Sequence, residues 1–337
     1  MVAILETFMW FRSAGDLRQE GRLFGQPGNR FWRCIIVPLA VLTLSSTLHA
    51  GEIPLIDAHS QIDRHIDPAD VVQFLDDAGI AHVILSARGK TKARTIATLA
   101  RNHPKRITAA VRTKGGFYQK NTPKYHRVLD AQLAMPEFSA MAEVILWHAE
   151  KPSRAGTIKA AKVIVPPTDG RVQAALKATI ERGWPFIFHI EFAAAESDAR
   201  HFMAAMEATL AAHPSHPFAL IHMGQLGPEI VQRLIDRHPN IHFITAHTTP
   251  ITTERSRQPW VNMFDGAHLS KEWANLVLRH PNRFVLGFDN VWADHWGSRY
   301  VETAAFWRRA LKQLPEDVAR AIAHRNAERL WRLPPLP

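Results

Sequence analysis

Residues 185–222 read PFIFHIEFAAAESDARHFMAAMEATLAAHPSHPFALIH, and this stretch decides the fold. Pro185–His189 is a short apolar run without polar alternation, the pattern of a parallel strand covered on both faces. Glu196–Ala212 follows with helical spacing of its apolar residues. His213-Pro214 stops that helix, because proline disfavours helix at the residue before it. Phe218–His222 is a second run of strand length. Strand, helix, strand is the repeating unit of folds with a parallel sheet.

The same alternation continues outward in both directions. Apolar runs recur at Ile53–Asp57, His82–Ser86, Ile107–Val111, Glu143–Trp147, Ile241–Ala246 and Arg283–Phe288, with further helical patterns at Pro68–Ala78, Arg171–Arg182 and Glu229–Arg237. Eight strand candidates alternating with helices predict a single-domain α/β fold, a (β/α)8 TIM barrel, over residues 51–337. His103-Pro104, His238-Pro239 and His280-Pro281 repeat the stop signal, so these histidines and His213 read as structural. Two places are loosely phased. Val163–Val165 competes with Glu143–Trp147 for the fourth strand, and residues 247–282 form a long stretch with one helical pattern near Lys271–Arg279.

The 337 residues are 46% hydrophobic and 21% charged, with no low-complexity tract or linker, which predicts one large core. The formal charge is +10, but Lys and Arg are spread among the acids. No basic run interleaved with aromatics appears, which argues against a nucleic-acid partner. An anionic small molecule such as a carboxylate remains a mild preference, and homo-oligomerisation is left open. Near the N-terminus, Arg30 and Arg33 precede an apolar run from Cys34 to Leu44 and then Leu48-His49-Ala50. This is the layout of a secretory signal peptide, too short for the ~20 apolar residues of a membrane span. Residues 1–50 are therefore expected to be an extension and signal, and the mature chain periplasmic or secreted with no stable membrane span. Leu48 breaks the small-residue cleavage rule, so an uncleaved anchor is the lesser alternative. Cys34 is the only cysteine and would leave with the signal, which suits an oxidising compartment.

In a barrel of this kind the chemistry sits at the C-terminal ends of the strands. Those ends read Asp57-Ala58-His59-Ser60-Gln61, Ser86 and Arg88, Arg112, Trp147-His148, His189-Ile190-Glu191, His222, His247 and Asp289. One histidine closing an apolar strand is more often a satisfied core group than a ligand. Five such strands and a sixth ending in Asp, all pointing to one axis, are the ligand set for zinc or a similar divalent ion.

On these residues the chain resembles the amidohydrolase superfamily, in its amidohydrolase-related branch. IPLIDAHSQID is similar to the strand-one His-x-His motif of that family. GWPFIFHIE, ALIHMG and RFVLGFDN are similar to its strand-five His, strand-six His and strand-eight Asp, and HRNAERLWRL to its closing helix. The resemblance covers residues 53–333 in matching order. It implies one divalent ion, zinc, at His59, Gln61, His189 and Asp289, with Asp289 as general base and His222 as a second catalytic group. Gln61 stands where the family has a histidine, and an amide carbonyl is a weaker ligand. Gln61 or water completes the set, His148 or His247 substitutes, or the site runs without metal.

Arg88 and Arg112 are candidates to hold a substrate carboxylate through the planar fork of arginine, with rim salt bridges as the plain alternative. Glu191, two residues after His189, faces the same side of its strand. His148, His247 and Trp292 complete the expected substrate-binding set. Trp147 and Trp296 also lie near strand ends, but with ten tryptophans in the chain ordinary packing is the better reading. Asn290–Trp296 is the expected lid. The function these readings favour is metal-dependent hydrolysis of a small ester, lactone or amide by metal-activated water. The alternatives are a non-oxidative decarboxylase or a metal-free lactonase on the same barrel and, from another class, a binding protein whose site decayed at Gln61.

Overall fold

The computed structural model of the chain describes residues 52–152 and 158–336. Within them eight parallel strands close into a barrel, and each of the predicted runs supplies one. In chain order they are Leu55–Ile62, Ile80–Ala87, Ile107–Val111, a fourth strand in two lengths (Phe138–Met141 and Val144–His148), Phe186–Ile190, Phe218–Ile221, Ile241–Ile244 and Phe284–Val285. The fourth strand changes partner at Ala142-Glu143: its first length pairs with strand three and its second with strand five. Closure comes from the chain beyond Val285 running beside strand one. Ala58 N donates to Leu286 O at 3.0 Å, Asp289 N to His59 O at 2.8 Å, and Gln61 N to Asn290 O at 2.8 Å.

Val163–Ile164 does not replace the fourth strand. It lies antiparallel against Trp147 and His148 at that strand's end. A parallel return needs a crossover of a dozen or more residues, usually a helix, and the short stretch after His148 gives only an antiparallel ribbon.

Side-chain alternation splits the core into two layers. Phe186, Phe188, Phe218 and Leu220 face outward into the layer under the helices, while Ile187, Ala219 and Ile221 face the barrel interior. That interior is narrow and is filled largely by alanine: Ala58, Ala110, Ala140, Ala142 and Ala246 meet there with Ile56, Ile84 and Val285. Its lower end is stopped by Leu330 and Trp331 of the helix Asn326–Trp331. Asn326 fixes that helix by donating to Pro281 O at 2.8 Å and Phe284 O at 2.7 Å.

The predicted helices stand at Gly170–Arg182, Ala199–Ala212, Pro228–Arg237 and Lys271–Arg279. His103, His213, His238 and His280 are all helix C-caps, with φ between −129° and −132°. Their role as stops ahead of proline is structural. Among the described residues no helix is long and apolar enough to cross a membrane. The signal expected within residues 1–50, with Cys34, lies outside the described residues.

Candidate active site

Strand one reaches the site through an irregularity. Its pairing with strand two shifts register between Asp57 and Ser60. Before the shift Ile56 and Ala58 face the interior; beyond it His59 and Gln61 do, as a bulge re-aims side chains. Asp57 holds this bend from below. One of its oxygens accepts from His59 N (3.2 Å) and Phe288 N (3.0 Å), the other from Ser60 Oγ (2.5 Å) and Tyr300 OH (2.7 Å). Burial pushes the Asp57 carboxyl up to about 6, with these hydrogen bonds restraining the rise.

Above the bend three buried donors converge. His59 Nε2 lies 3.7 Å from Glu143 Oε1 and 3.7 Å from Asp289 Oδ1. Zinc bonds of ~2.0–2.2 Å place tetrahedral ligands roughly 3.4 Å apart, so this imidazole and two carboxylates fit a divalent ion in both chemistry and spacing. The Gln61 carboxamide caps them, its Nε2 at 2.8 Å from Asp289 Oδ1, 3.4 Å from Glu143 Oε1 and 3.3 Å from His59 Nε2. Gln61 Oε1 and His59 Nδ1 are buried without a hydrogen-bond partner.

Glu143 was not among the residues singled out from the sequence. The signal was there: it is the one charged residue in the run Met141–Trp147. Burial alone would raise its pKa, but Lys114 and His189 beside it hold the carboxylate well below the usual range.

His189, expected as a metal ligand, reaches Glu143 at that carboxylate's other oxygen, and its ring also stands at ion-ligand spacing with Glu143 and His222. Its Nδ1 is 2.6 Å from Glu143 Oε2 and its Nε2 3.2 Å from Glu191 Oε1. Each carboxylate carries a lysine: Lys114 Nζ on Glu143, and Lys151 Nζ on Glu191 at 2.7 Å. Glu191 also accepts from Ala149 N at 2.7 Å. A chain of alternating charge, Lys114–Glu143–His189–Glu191–Lys151, thus crosses the mouth. Burial works against charge on His189, but Glu143 and Glu191 outweigh it and raise its pKa. Glu191 goes the other way: burial would raise it, and Lys151 and His189 bring it far down. The His148 ring lies 5.3 Å from that of His189, tilted against it, and burial followed by the charge of Lys151 pushes His148 down to about 3.

At the ends of strands six, seven and eight the backbone turns left-handed on the site residues themselves: His222 at φ 57°, His247 at 62° and Asp289 at 51°. Such conformations cost about 1–3 kcal/mol each and gather at functional sites. Here they aim three polar side chains at one point. Asp289 Oδ2 lies 3.5 Å from His222 Nε2 and 3.9 Å from His247 Nε2. The two imidazoles stack at 4.6 Å, with the Trp260 ring 4.8 Å from His222 and 5.0 Å from His247. His222 Nδ1 meets Ala246 O at 3.3 Å. A carbonyl only accepts, so Nδ1 carries the proton and Nε2 turns a lone pair to Asp289. Burial pushes His222 down to about 4 and His247 well below its ordinary value. Burial and Glu143 oppose ionisation of Asp289, yet His222, His247 and His59 hold it well below the usual carboxylate range.

The remaining predicted residues divide by what they touch. Arg88 pairs with Asp63 Oδ2 at 3.1 Å and lies 3.9 Å over the Trp292 ring. Arg112 donates to Lys114 O at 2.7 Å and Gly89 O at 2.9 Å, so its fork braces two loops. Trp147 and Trp296 are packed, donating to Asp198 Oδ2 at 2.9 Å and Gln61 O at 3.3 Å. Trp260, from the long stretch after strand seven, is the tryptophan that covers the histidines, and Lys151 Nζ lies 4.7 Å over its ring. Neither Lys114, Lys151 nor Trp260 follows a strand end directly, which is why reading strand ends missed them.

A family model described as amidohydrolase (Amidohydro_2) matches residues 44–333. No curated protein sequence matches the chain. Among solved structures the chain is similar to 2,6-dihydroxybenzoate decarboxylase from Rhizobium, at 13% identity and a TM-score of 0.50, over 83% of this chain and 99% of that one. It is also similar to a probable 2-pyrone-4,6-dicarboxylic acid hydrolase from Acinetobacter baumannii with citric acid bound, at 11% identity and a TM-score of 0.47, over 82% and 99% of the two chains. An amidohydrolase from Burkholderia multivorans with bound zinc matches at 13% identity and a TM-score of 0.48, over 83% and 100%. At 13% identity the likeness to the decarboxylase is one of fold alone.

Proposed function

Because the chain belongs to the amidohydrolase family, we propose that it is a metal-dependent hydrolase of a small ester, lactone or amide. The observation that carries this reading is the buried trio His59, Glu143 and Asp289, whose donor atoms stand at ion-ligand spacing at the C-terminal mouth of the barrel. Those three residues would hold the ion, zinc being the metal their nitrogen and oxygen donors suit. When bound, a divalent ion supplies acidification of water, from a pKa of 15.7 to about 7, and polarisation of a carbonyl.

The protein's own groups do the rest. Asp289 is ionised and takes a proton at Oδ2 as general base. His222 faces that oxygen at 3.5 Å with its Nε2 lone pair, so it receives the proton from Asp289 and passes it towards a leaving group. This gives His222, expected as a second catalytic group, a part in proton transfer. Trp260 and His247 wall the site on one side and exclude water from that transfer. Arg88, held flat on Trp292 by Asp63, presents a cation at the rim for an anionic substrate. Localisation outside the cytoplasm follows only from the signal-like segment at residues 31–50.

The test is elemental analysis of the purified protein together with turnover on a panel of esters, lactones, amides and aromatic carboxylates. We expect about one divalent ion per chain, the number a single mononuclear trio takes, and hydrolysis that disappears in both His59→Ala and Asp289→Ala. Release of carbon dioxide from a carboxylate, with no hydrolysis of any ester or amide, would replace this reading with decarboxylation. A protein that takes up no ion after dialysis against zinc or manganese would end the metal-dependent reading.

A further inference from the structure

We infer that Gln61 is a competitor of the metal ion at the His59–Glu143–Asp289 trio and not one of its ligands; this rests on the metal-dependent reading above. The carboxamide places its nitrogen, not its oxygen, against all three donors, at 2.8, 3.4 and 3.3 Å. An amide nitrogen has two N–H donors and no lone pair to give a metal. Its protons take the acceptor lone pairs of Asp289 Oδ1 and Glu143 Oε1 that face the centre of the trio. A cation shared by the same atoms needs those same lone pairs, so one excludes the other.

The orientation has a physical reason. Two carboxylates meet here in a buried site, and removing charge from water is costly unless it is compensated. Lys114 Nζ and a Gln61 N–H both answer Glu143 Oε1, and the other Gln61 N–H answers Asp289 Oδ1. Turning the amide over would put Oε1 against two carboxylates, which only a bound cation could make favourable. Gln61 therefore stabilises the metal-free protein and lowers its affinity for the ion, and uptake requires the side chain to rotate or withdraw. The buried Oε1, which has no partner, ties the amide to nothing on its other side.

The discriminating variant is Gln61→Ala, compared with wild type by zinc titration calorimetry after EDTA treatment and by thermal unfolding with and without zinc. Removing a competitor tightens binding, removing a ligand weakens it. We expect zinc to bind Gln61→Ala at least tenfold more tightly, with the metal-free variant melting earlier than metal-free wild type. A second measurement uses the wild-type fold. In protein labelled with 15N-glutamine, the Gln61 side-chain amide protons exchange slowly without metal and lose that protection on adding zinc. Weaker or equal zinc binding by Gln61→Ala, or an amide equally protected with and without zinc, overturns the inference and leaves the metal-dependent reading standing. Absence of zinc binding by both proteins overturns that reading, and this inference with it.

Discussion

At Glu143 a carboxylate with no exposed surface sits in a run, Met141–Trp147, otherwise made of Met, Ala, Val, Ile, Leu and Trp. A buried charge is tolerated when its partners are in place, and removing one member of such a pair costs about 3–5 kcal/mol. Glu143→Gln keeps the shape and removes the charge, leaving Lys114 and His189 to face a neutral amide. We expect urea unfolding to show a loss of about 2–4 kcal/mol in the metal-free protein, somewhat under that range because the amide oxygen still accepts. Zinc affinity should fall by more than about 10–100-fold, the scale for losing a partner that only orients a ligand. Unchanged affinity would remove Glu143 from the trio. The same residue shows how far strand ends can be read from sequence. His59, His222, His247 and Asp289 were legible because each closes an apolar run or follows one within two residues. Glu143 lies at a joint inside strand four, and its charge is sustained by Lys114 from the loop after strand three, a contact no local pattern announces. His189 was picked out at its strand end as a metal ligand, but its contacts with two carboxylates depend on where strand four breaks.

Elements were easier to read than their junctions. All eight strands overlap the predicted apolar runs, because strands buried on both faces need such runs, but the first length of strand four, Phe138–Met141, lay outside them. The bulge in strand one and the split of strand four were not legible, since both answer to neighbouring strands rather than to local preference. Strand eight shows the tolerance of the closure. A Cβ on Gly287 would stand 2.6 Å from Ile244 Cγ2, inside the barrel layer beside Ala58. Gly287→Ala therefore overpacks an interior that has little room to yield, and such changes cost about 1–3 kcal/mol. Ile244→Val, which removes a Cδ1 methyl and leaves room for the side chain to reorient, should return about half of that loss in the double variant. Thermal and urea unfolding of both single variants and the double variant form the cycle. Additive losses would mean that the two residues do not meet across strands seven and eight.

Over the whole molecule, burial lowers the pKa of histidines far apart in the fold, among them His82 and His216 as well as the site pair His222 and His247. Each is neutral in the folded protein at a pH where the unfolded chain already binds a proton, so acidification draws the equilibrium towards unfolding. His242 isolates the effect, because it lies near the barrel's lower end, on strand seven and away from the trio. Its Nδ1 donates to Phe218 O at 3.1 Å, and its Nε2 faces Arg329 Nη2 at 3.4 Å, with Arg283 also near. Burial first, and then the charge of Arg329, pushes it down to about 3. The sign follows from the two states. Above pH ~6.5, the unperturbed histidine value, neither state carries the proton and His242 contributes no pH dependence. Below it the unfolded chain gains a proton that the folded one refuses, and stability falls by about 1.4 kcal/mol per pH unit until the folded value is reached. Between pH 7 and 4.5 wild type should therefore lose about 2–3 kcal/mol that His242→Gln does not lose. That window lies above the ordinary carboxylate range, and the raised groups Asp57 and His189 shift both proteins alike. Urea unfolding at half-unit pH steps measures the gap between the two curves. Curves that stay parallel down to pH 4.5 would mean that His242 is protonated inside the folded barrel, with water or a counter-ion reaching it beside Arg329.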